Sequence, residues 1–225
     1  KVPAYKIASF ENADVALIRK VAATGKPVLM STGMASLEEL ELSVRTARQA
    51  GCKDLVLLKC TSSDPASPEG SHVLTLPDMR QRFGCEVGLS DHTIGIGAAV
   101  AAVAHGAVVL EKHFTLNRDD GGVDATFSME PDELKCLVFE TKHAWQALGK
   151  VHYGVEESEL ASRQFRRSLY IVQDLEKGAR LTKENVRCIR PGYGLAPHHA
   201  NEIIGKTINA SALKGTPITW DMIGS

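Results

Sequence analysis

The chain has 225 residues, of which 44% are apolar and 24% charged, a composition typical of globular proteins with an ordinary core. Lys and Arg number 26 and Asp and Glu 27, a formal net charge of −1, so no overall positive field draws the protein to nucleic acid or to a membrane surface. No apolar run approaches the ~18 residues of a membrane span, and no signal peptide is expected.

Five cysteines are spread along the chain without a C-x-x-C motif. Their odd number and wide spacing argue against a disulfide framework and against a thiolate zinc site. We therefore expect a protein of the reducing cytoplasm.

Five short segments rich in Val, Ile and Leu are typical of parallel strands buried on both faces. They are residues 4–9, 27–32, 54–62, 86–92 and 107–114. Amphipathic helices are predicted between them. Ser36 and Glu39 form a capping-box pattern, and Pro131 opens a long helix that ends near Gly149. The alternation predicts βα units and a parallel sheet.

Polar residues at the predicted strand ends recur every 22 to 30 residues: Ser9, Ser31, Thr61, Ser90 and His113. A (β/α)₈ barrel uses about 31 residues per unit, so residues 1–150 hold about five of its eight units. A doubly wound sheet also accommodates five units, but no glycine-rich phosphate motif follows the first strand. Because the chain begins directly at a strand, we expect the N-terminal part of a longer barrel to be absent.

The composition changes after Gly149. Residues 151–165 are polar and predict a linker, and residues 166–225 predict a small β-rich domain punctuated by Gly and Pro. Within it we expect strands at 168–172 and 186–190, a short helix capped by Thr182 and a helical segment at 198–206.

His92 and His113 end neighbouring predicted strands, and a polar residue, Ser90 or Glu111, precedes each by two positions. Adjacent parallel strands lie about 4.8 Å apart, so the two imidazoles can share one divalent metal with positions left for water or substrate. The alternative is that both histidines are structural.

A set of hydroxyls and one cation lies at the same predicted strand ends: Lys6, Ser9, Ser31, Thr32, Thr61, Ser62 and Ser90. Such groups bind phosphate well, although Ser and Thr are also common at strand ends and helix caps. Glu11 and Asp124 are loop carboxylates that either bind a sugar hydroxyl, transfer a proton or are simply solvated.

Several segments together resemble the sialic acid synthase family, and within it the bacterial pseudaminic acid synthases. They are KIASFE (6–11), STGM (31–34), LLKCTS (57–62), GLSDHT (88–93), EKHFTLNR (111–118), GGVDATFSMEP (121–131), FRRSLY (165–170) and IRPGYGL (189–195). The resemblance implies a (β/α)₈ TIM barrel whose first three units have no counterpart here, followed by an antifreeze-like (SAF) domain.

The resemblance also implies an activity and a set of roles. The family condenses phosphoenolpyruvate with an amino-sugar acceptor and water and releases phosphate. His92 and His113 take the metal positions, for Mn²⁺ or Mg²⁺ and also Co²⁺. The phosphoenolpyruvate positions fall on Lys6, Ser9, Ser31, Ser62 and Ser90. Glu11 and Asp124 take catalytic positions at the acceptor sugar, and Arg190 takes that of an arginine that reaches the partner's site in a swapped homodimer.

The predicted function is thus a pseudaminic acid synthase acting on 2,4-diacetamido-2,4,6-trideoxy-L-altrose. Asp64 departs from the family pattern, because an aromatic residue is expected there. The family's catalytic glutamate falls in the units without counterpart, so these 225 residues alone are not expected to catalyse. N-acetylneuraminate or legionaminate synthase is the alternative, as is a noncatalytic sugar-binding protein. The Arg, Lys and His content of the second domain argues against ice binding, and the lack of an H-x-H motif argues against a metal-dependent barrel hydrolase.

Overall fold

The computed structural model describes residues 2–224, which divide between Lys150 and Val151 into a first and a second compact unit. In the first unit, strands and helices alternate along the chain. They are β1 (Tyr5–Ile7), α1 (Val15–Ala22), β2 (Val28–Ser31), α2 (Leu37–Gln49), β3 (Leu55–Cys60), α3 (Thr75–Phe83), β4 (Glu86–Asp91), α4 (Gly97–Ala104), β5 (Val109–Lys112) and α5 (Pro131–Leu148).

The five strands form one parallel sheet in the order β1-β2-β3-β4-β5. Each of the five predicted strands is confirmed, and each strand end lies at most two residues inside the predicted segment. Their side chains pack with those of the helices into the main core, which includes Met30, Leu57 and Val87 of the sheet and Ile18 and Leu76 of the helices. The α/β class follows.

Local sequence signals set the helix starts. The Ser36 hydroxyl accepts a hydrogen bond from Glu39 N (3.3 Å), and the Glu39 carboxylate accepts one from Ser36 N (2.7 Å), so the predicted capping box is present. Pro131 occupies the first position of α5, where its missing N–H leaves no helical bond unmade.

The sheet is strongly curved. In a flat sheet, β1 and β5 would lie about 19 Å apart at ~4.8 Å per strand. Yet Lys6 Nζ of β1 and Glu111 Oε2 of β5 are 3.2 Å apart. Gly88 of β4 allows β4 and β5 to pack closely, because a Cβ at this position would lie 2.3 Å from the Val109 carbonyl oxygen of β5. This curvature is that of part of a barrel wall, as predicted.

The second unit has a separate core and a two-stranded antiparallel sheet of β6 (Ser168–Ile171) and β7 (Val186–Ile189). Buried Leu169, Leu181 and Ile218 belong to that core. The predicted helix after Thr182 is wrong. The Thr182 hydroxyl instead accepts from Glu184 N in a turn that leads directly into β7.

Other segments of the second unit are short. The helical segment predicted at 198–206 contains a four-residue helix, α6 (Ala200–Ile203). Residues Glu157–Phe165, inside the predicted linker, form exposed 3₁₀ turns. Across the described part of the chain, none of the helices combines the length and apolarity that crossing a bilayer requires.

Candidate active site

A cleft of about 430 Å³ opens at the carboxyl ends of the first unit's strands, where barrel folds place their active sites. It brings together eight of the predicted site residues. They are Lys6, Ser9, Ser31, Ser62, Ser90, His92, His113 and Asp124. The cleft lining also includes Cys60, Asp64, Glu111 and Lys112, which the sequence did not identify as site residues.

The two histidines lie side by side. Asp91 pairs with Lys112 at the ends of β4 and β5, and the residue that follows each strand is a histidine. The two ring centroids are 5.1 Å apart. His113 Nδ1 lies 3.5 Å from Asp124 Oδ2, and His92 Nδ1 lies 3.7 Å from Cys60 Sγ. Partners on Nδ1 orient an imidazole and leave Nε2 for a metal, the arrangement usual for metal-binding histidines.

Asp64 joins the histidines on the side of β3. Its Oδ1 lies 3.8 Å from His92 Nε2, and one ligand atom each from Asp64, His92 and His113 lie within 4.8 Å of one another. Two imidazoles and a carboxylate suit a divalent cation such as Mn²⁺. The donor set of the cleft therefore fits a divalent metal, as the resemblance implies.

One wall of the cleft is built from hydroxyls around a glycine. Ser9 Oγ accepts from Gly33 N (3.0 Å), and a Cβ on Gly33 would lie 2.2 Å from Ser62 Oγ. Buried Asn12 fixes this wall by donating from Nδ2 to the carbonyl oxygens of Ser31 (3.2 Å) and Gly33 (3.1 Å). Asn12 and Gly33 support the site without having been predicted to.

Ser31 Oγ carries an unmet hydrogen-bonding capacity. It is buried, and among the described residues it has no hydrogen-bond partner. Buried polar atoms are nearly always satisfied, so an unpartnered one in a cleft wall indicates a missing oxygen or nitrogen, from water or from a ligand.

Lys6 provides a positive charge in the cleft. Its ammonium makes the ion pair with Glu111 already described, and both side chains are partly exposed to the cleft. A small anion that binds Lys6 therefore competes with Glu111 or shares the ammonium with it.

Cys60 and His92 form a polarised pair. Burial opposes ionisation of the Cys60 thiol, but hydrogen bonds with His92, Ser9 and Ser62 outweigh it and lower its pKa to about 7. The same contact with Cys60 raises the pKa of His92, against the effect of burial, and the charges of Cys60, Asp64 and Glu111 raise it further. Negative groups around His92 thus favour a cation at this place, whether a proton or a metal.

A buried ion pair between Lys112 and Asp91 connects the strand ends that carry the two histidines. Lys112 Nζ donates to Asp91 Oδ2 (2.9 Å) and to the Thr93 carbonyl oxygen (2.7 Å). Asp91 Oδ1 in turn accepts from Thr93 N (2.9 Å) and Thr93 Oγ1 (2.8 Å). Because Asp91 precedes His92 and Lys112 precedes His113, the pair joins the two strand ends at the residue before each imidazole.

Four of the predicted residues do not line the cleft: Thr32, Thr61, Glu11 and Arg190. Glu11 is exposed, and its Oε2 accepts from Ala8 N (2.7 Å), which stabilises the turn after β1; it does not line the cleft. Arg190 is exposed in the second unit, where it lines a shallow depression with Arg167, Cys188 and Ile189.

Comparison with known proteins identifies relatives of both units. A family model described as the NeuB family matches residues 1–153, and a model of the SAF domain matches residues 166–224. The pseudaminic acid synthase of Campylobacter jejuni is 42% identical over 203 residues, which are 90% of this chain and 59% of the relative. That of Helicobacter pylori is 38% identical over 98% of this chain and 65% of the relative.

A solved structure of similar fold is the N-acetylneuraminic acid synthetase of Leptospira borgpetersenii in complex with citrate. It is 33% identical, with a TM-score of 0.66 over 72% of this chain and 56% of that one. The chain thus spans less than two thirds of the length of the curated relatives cited above.

Proposed function

The chain belongs to the NeuB family, and on that premise we propose that it serves in the condensation of phosphoenolpyruvate with an amino-sugar aldehyde, as a pseudaminic acid synthase. The two Campylobacter and Helicobacter relatives support the choice of product. The observation that carries the proposal is the cleft itself, which combines paired imidazoles, a hydroxyl wall and the Lys6 ammonium at the carboxyl ends of five strands.

The wall and the ammonium suit phosphoenolpyruvate. Lys6 neutralises charge on its phosphate or carboxylate, and the hydroxyls of Ser9, Ser31, Ser62 and Ser90 donate to its oxygens. Ser31 Oγ, buried and unpartnered among the described residues, would gain its missing partner from such an oxygen. Phosphoenolpyruvate would displace the Glu111 carboxylate from Lys6 or share the ammonium with it.

The reaction balances without a redox step. C3 of phosphoenolpyruvate forms a carbon–carbon bond to the aldehyde carbon of the open-chain sugar, whose oxygen takes a proton. Water adds at C2, and the C2–O bond to phosphate then breaks, releasing inorganic phosphate. A divalent metal held by His92 and His113, as Mn²⁺, Mg²⁺ or Co²⁺, would supply Lewis-acid polarisation of the aldehyde.

The carboxylates act around this centre. Asp124, 3.5 Å from His113 Nδ1, keeps that imidazole oriented and is placed to bind a hydroxyl of the acceptor. Glu11 is assigned to the acceptor sugar as well; to reach it, the carboxylate must leave the Ala8 N–H that it now accepts from. We further propose a homodimer in which Arg190 completes the partner's site, and a cytoplasmic location.

The experiment separates substrate binding from turnover. Calorimetry with phosphoenolpyruvate alone should show binding that Lys6→Met and Ser31→Ala each weaken about tenfold, roughly the worth of one charge-assisted hydrogen bond. Ser67→Ala is the matched control, because Ser67 is an exposed serine that bonds to Glu69 outside the cleft. Absence of phosphoenolpyruvate binding would refute the assignment of the wall.

Phosphate release then tests the reaction. It is measured in a protein that includes the three barrel units without counterpart here, because these 225 residues alone are not expected to catalyse. The altrose-derived acceptor is used and, in parallel, the acceptors of the N-acetylneuraminate and legionaminate reactions. Preference for the altrose-derived sugar supports the proposal, and preference for either other sugar replaces it. Exhaustive chelation should abolish release, and Mn²⁺ should restore it; release that persists after chelation in a His92→Ala or His113→Ala protein would assign the histidines a structural role.

A further inference from the structure

Asp64 stands at the position where the family resemblance leads us to expect an aromatic residue. Its carboxylate lies near the two histidines, with Oδ1 3.8 Å from His92 Nε2. We propose that Asp64 is a third protein ligand of the divalent metal at His92 and His113. This inference rests on the proposed function for the presence of the metal. It adds a ligand that the sequence did not predict, from a loop that follows a third strand.

The distances fit a common ion. Ligands bound about 2.1 Å from one cation lie about 3.0 Å apart when at right angles and about 4.2 Å apart when opposite. The Asp64 Oδ1–His92 Nε2 distance is 3.8 Å, and all three ligand atoms lie within 4.8 Å of one another. Movements of under about 1 Å at flexible side chains bring the three donors to one ion.

The backbone holds the Asp64 loop against the His92 segment. Ala66 N donates to the His92 carbonyl oxygen (3.0 Å), and Ala66 forms a parallel bridge with Thr93. The loop that carries Asp64 is therefore attached, two residues later, to the residue that carries one of the imidazoles. This attachment holds the backbone that carries the Asp64 carboxylate close to the backbone that carries the His92 imidazole.

Exposure leaves one side of the centre open. The side chain of His92 is 15% exposed, that of His113 34% and that of Asp64 44%. Three protein ligands whose side chains are partly exposed leave room at the centre for water and substrate, as in catalytic metal centres. One carboxylate also reduces the net charge of the centre from +2 to +1 and adds an oxygen donor, which favours Mn²⁺ and Mg²⁺ over softer ions.

The test uses Mn²⁺ alone, added to the chelator-stripped chain, without substrates. Affinity is measured by the paramagnetic resonance signal of free Mn²⁺, and the water-proton relaxation of bound Mn²⁺ reports its exchangeable waters. Asp64→Asn and Asp64→Ala should each raise the dissociation constant about tenfold or more. The relaxation should correspond to one additional water, which takes the place of the carboxylate.

Matched controls separate this inference from the metal site as a whole. Asp54→Asn removes the same charge from an exposed position at the opposite end of the strand that precedes Asp64, and should leave the affinity unchanged. Thermal unfolding with chelator present should be the same for all variants, because Asp64 is partly exposed and outside the core.

The outcomes are distinguishable. Normal Mn²⁺ affinity and water count in both Asp64 variants, with weakened binding in His92→Ala, would overturn the role of Asp64 while leaving the two-histidine site. Equal binding in the unchanged chain and in both histidine variants would overturn the metal site together with this inference. Weakened Mn²⁺ binding and one added water in both Asp64 variants, with neither change in Asp54→Asn, would support Asp64 as the third ligand.

Discussion

Replacing Lys112 by methionine should destabilise the first unit and loosen the histidine pair together. The Lys112 and Asp91 side chains are 4% and 1% exposed, so their charges are screened very little by water. Removing one partner of a buried pair costs about 3–5 kcal/mol. Two hydrogen bonds from Thr93 still reach Asp91 Oδ1, so we expect the lower end, about 3 kcal/mol.

Urea unfolding, followed by far-ultraviolet circular dichroism, measures this change. A loss of about 3 kcal/mol corresponds to a midpoint lowered by roughly 6–12 °C in a thermal scan of a protein of this size. The double change Asp91→Asn with Lys112→Met removes the uncompensated charge, so it should cost less than Lys112→Met alone. Lys20→Met, on the exposed face of α1, should change stability by no more than about 0.5 kcal/mol.

Two outcomes would refute this reasoning. A Lys112→Met protein destabilised by less than about 1 kcal/mol would mean that the pair is more solvated than its burial indicates. A double variant less stable than the single one would mean that the hydrogen bonds of Asp91, and not its charge, dominate. Mn²⁺ affinity of the folded single variant should also fall, because the strand ends that present His92 and His113 lose their connection.

Three further predictions concern reactivity, packing and assembly. The rate of Cys60 alkylation by a small electrophile should rise through about pH 7, where its thiol ionises. Cys85, whose pKa is raised by burial, should react only at higher pH. Peptide-resolved mass spectrometry that finds both rates rising over the same pH range would contradict the pairing of Cys60 with His92. Gly33→Ala should cost about 1–3 kcal/mol by overpacking and should weaken phosphoenolpyruvate binding, since its Cβ would lie 2.2 Å from Ser62 Oγ; unchanged affinity in calorimetry would count against the wall. Arg190→Ala mixed with a cleft-inactive variant should recover activity through hybrid dimers, and no recovery after confirmed subunit exchange would argue against a shared site.

The elements that were predictable from the sequence are those specified by neighbouring residues. The Ser36–Glu39 capping box is complete within four residues, and Pro131 marks a helix start by itself. Runs of Val, Ile and Leu place the five strands because a strand buried on both faces has little choice of composition. The side-by-side histidines follow from the same strands, once their order in the sheet equals their order in the sequence.

What the sequence did not reveal depends on the path of the chain in three dimensions. The Lys6–Glu111 ion pair joins residues of the first and last strands, and only the curvature of the sheet brings them together. Asp64 reaches His92 through a loop held by one backbone hydrogen bond from Ala66. Thr182 was misassigned because a capping threonine is equally suited to a turn, as found here.

The curved sheet has a consequence for the order of folding. Lys6, Ser31, Cys60, Ser90 and Glu111 come from five different strands, so the cleft is complete only after the pairing of residues far apart in the sequence. Such non-local pairings form slowly, and a ligand that contacts several strands stabilises only the state in which those strands are paired. Phosphoenolpyruvate, bound by Lys6 of β1 and Ser90 of β4, should therefore slow amide hydrogen exchange in β1 and β4 together, even though the two strands share no backbone hydrogen bond.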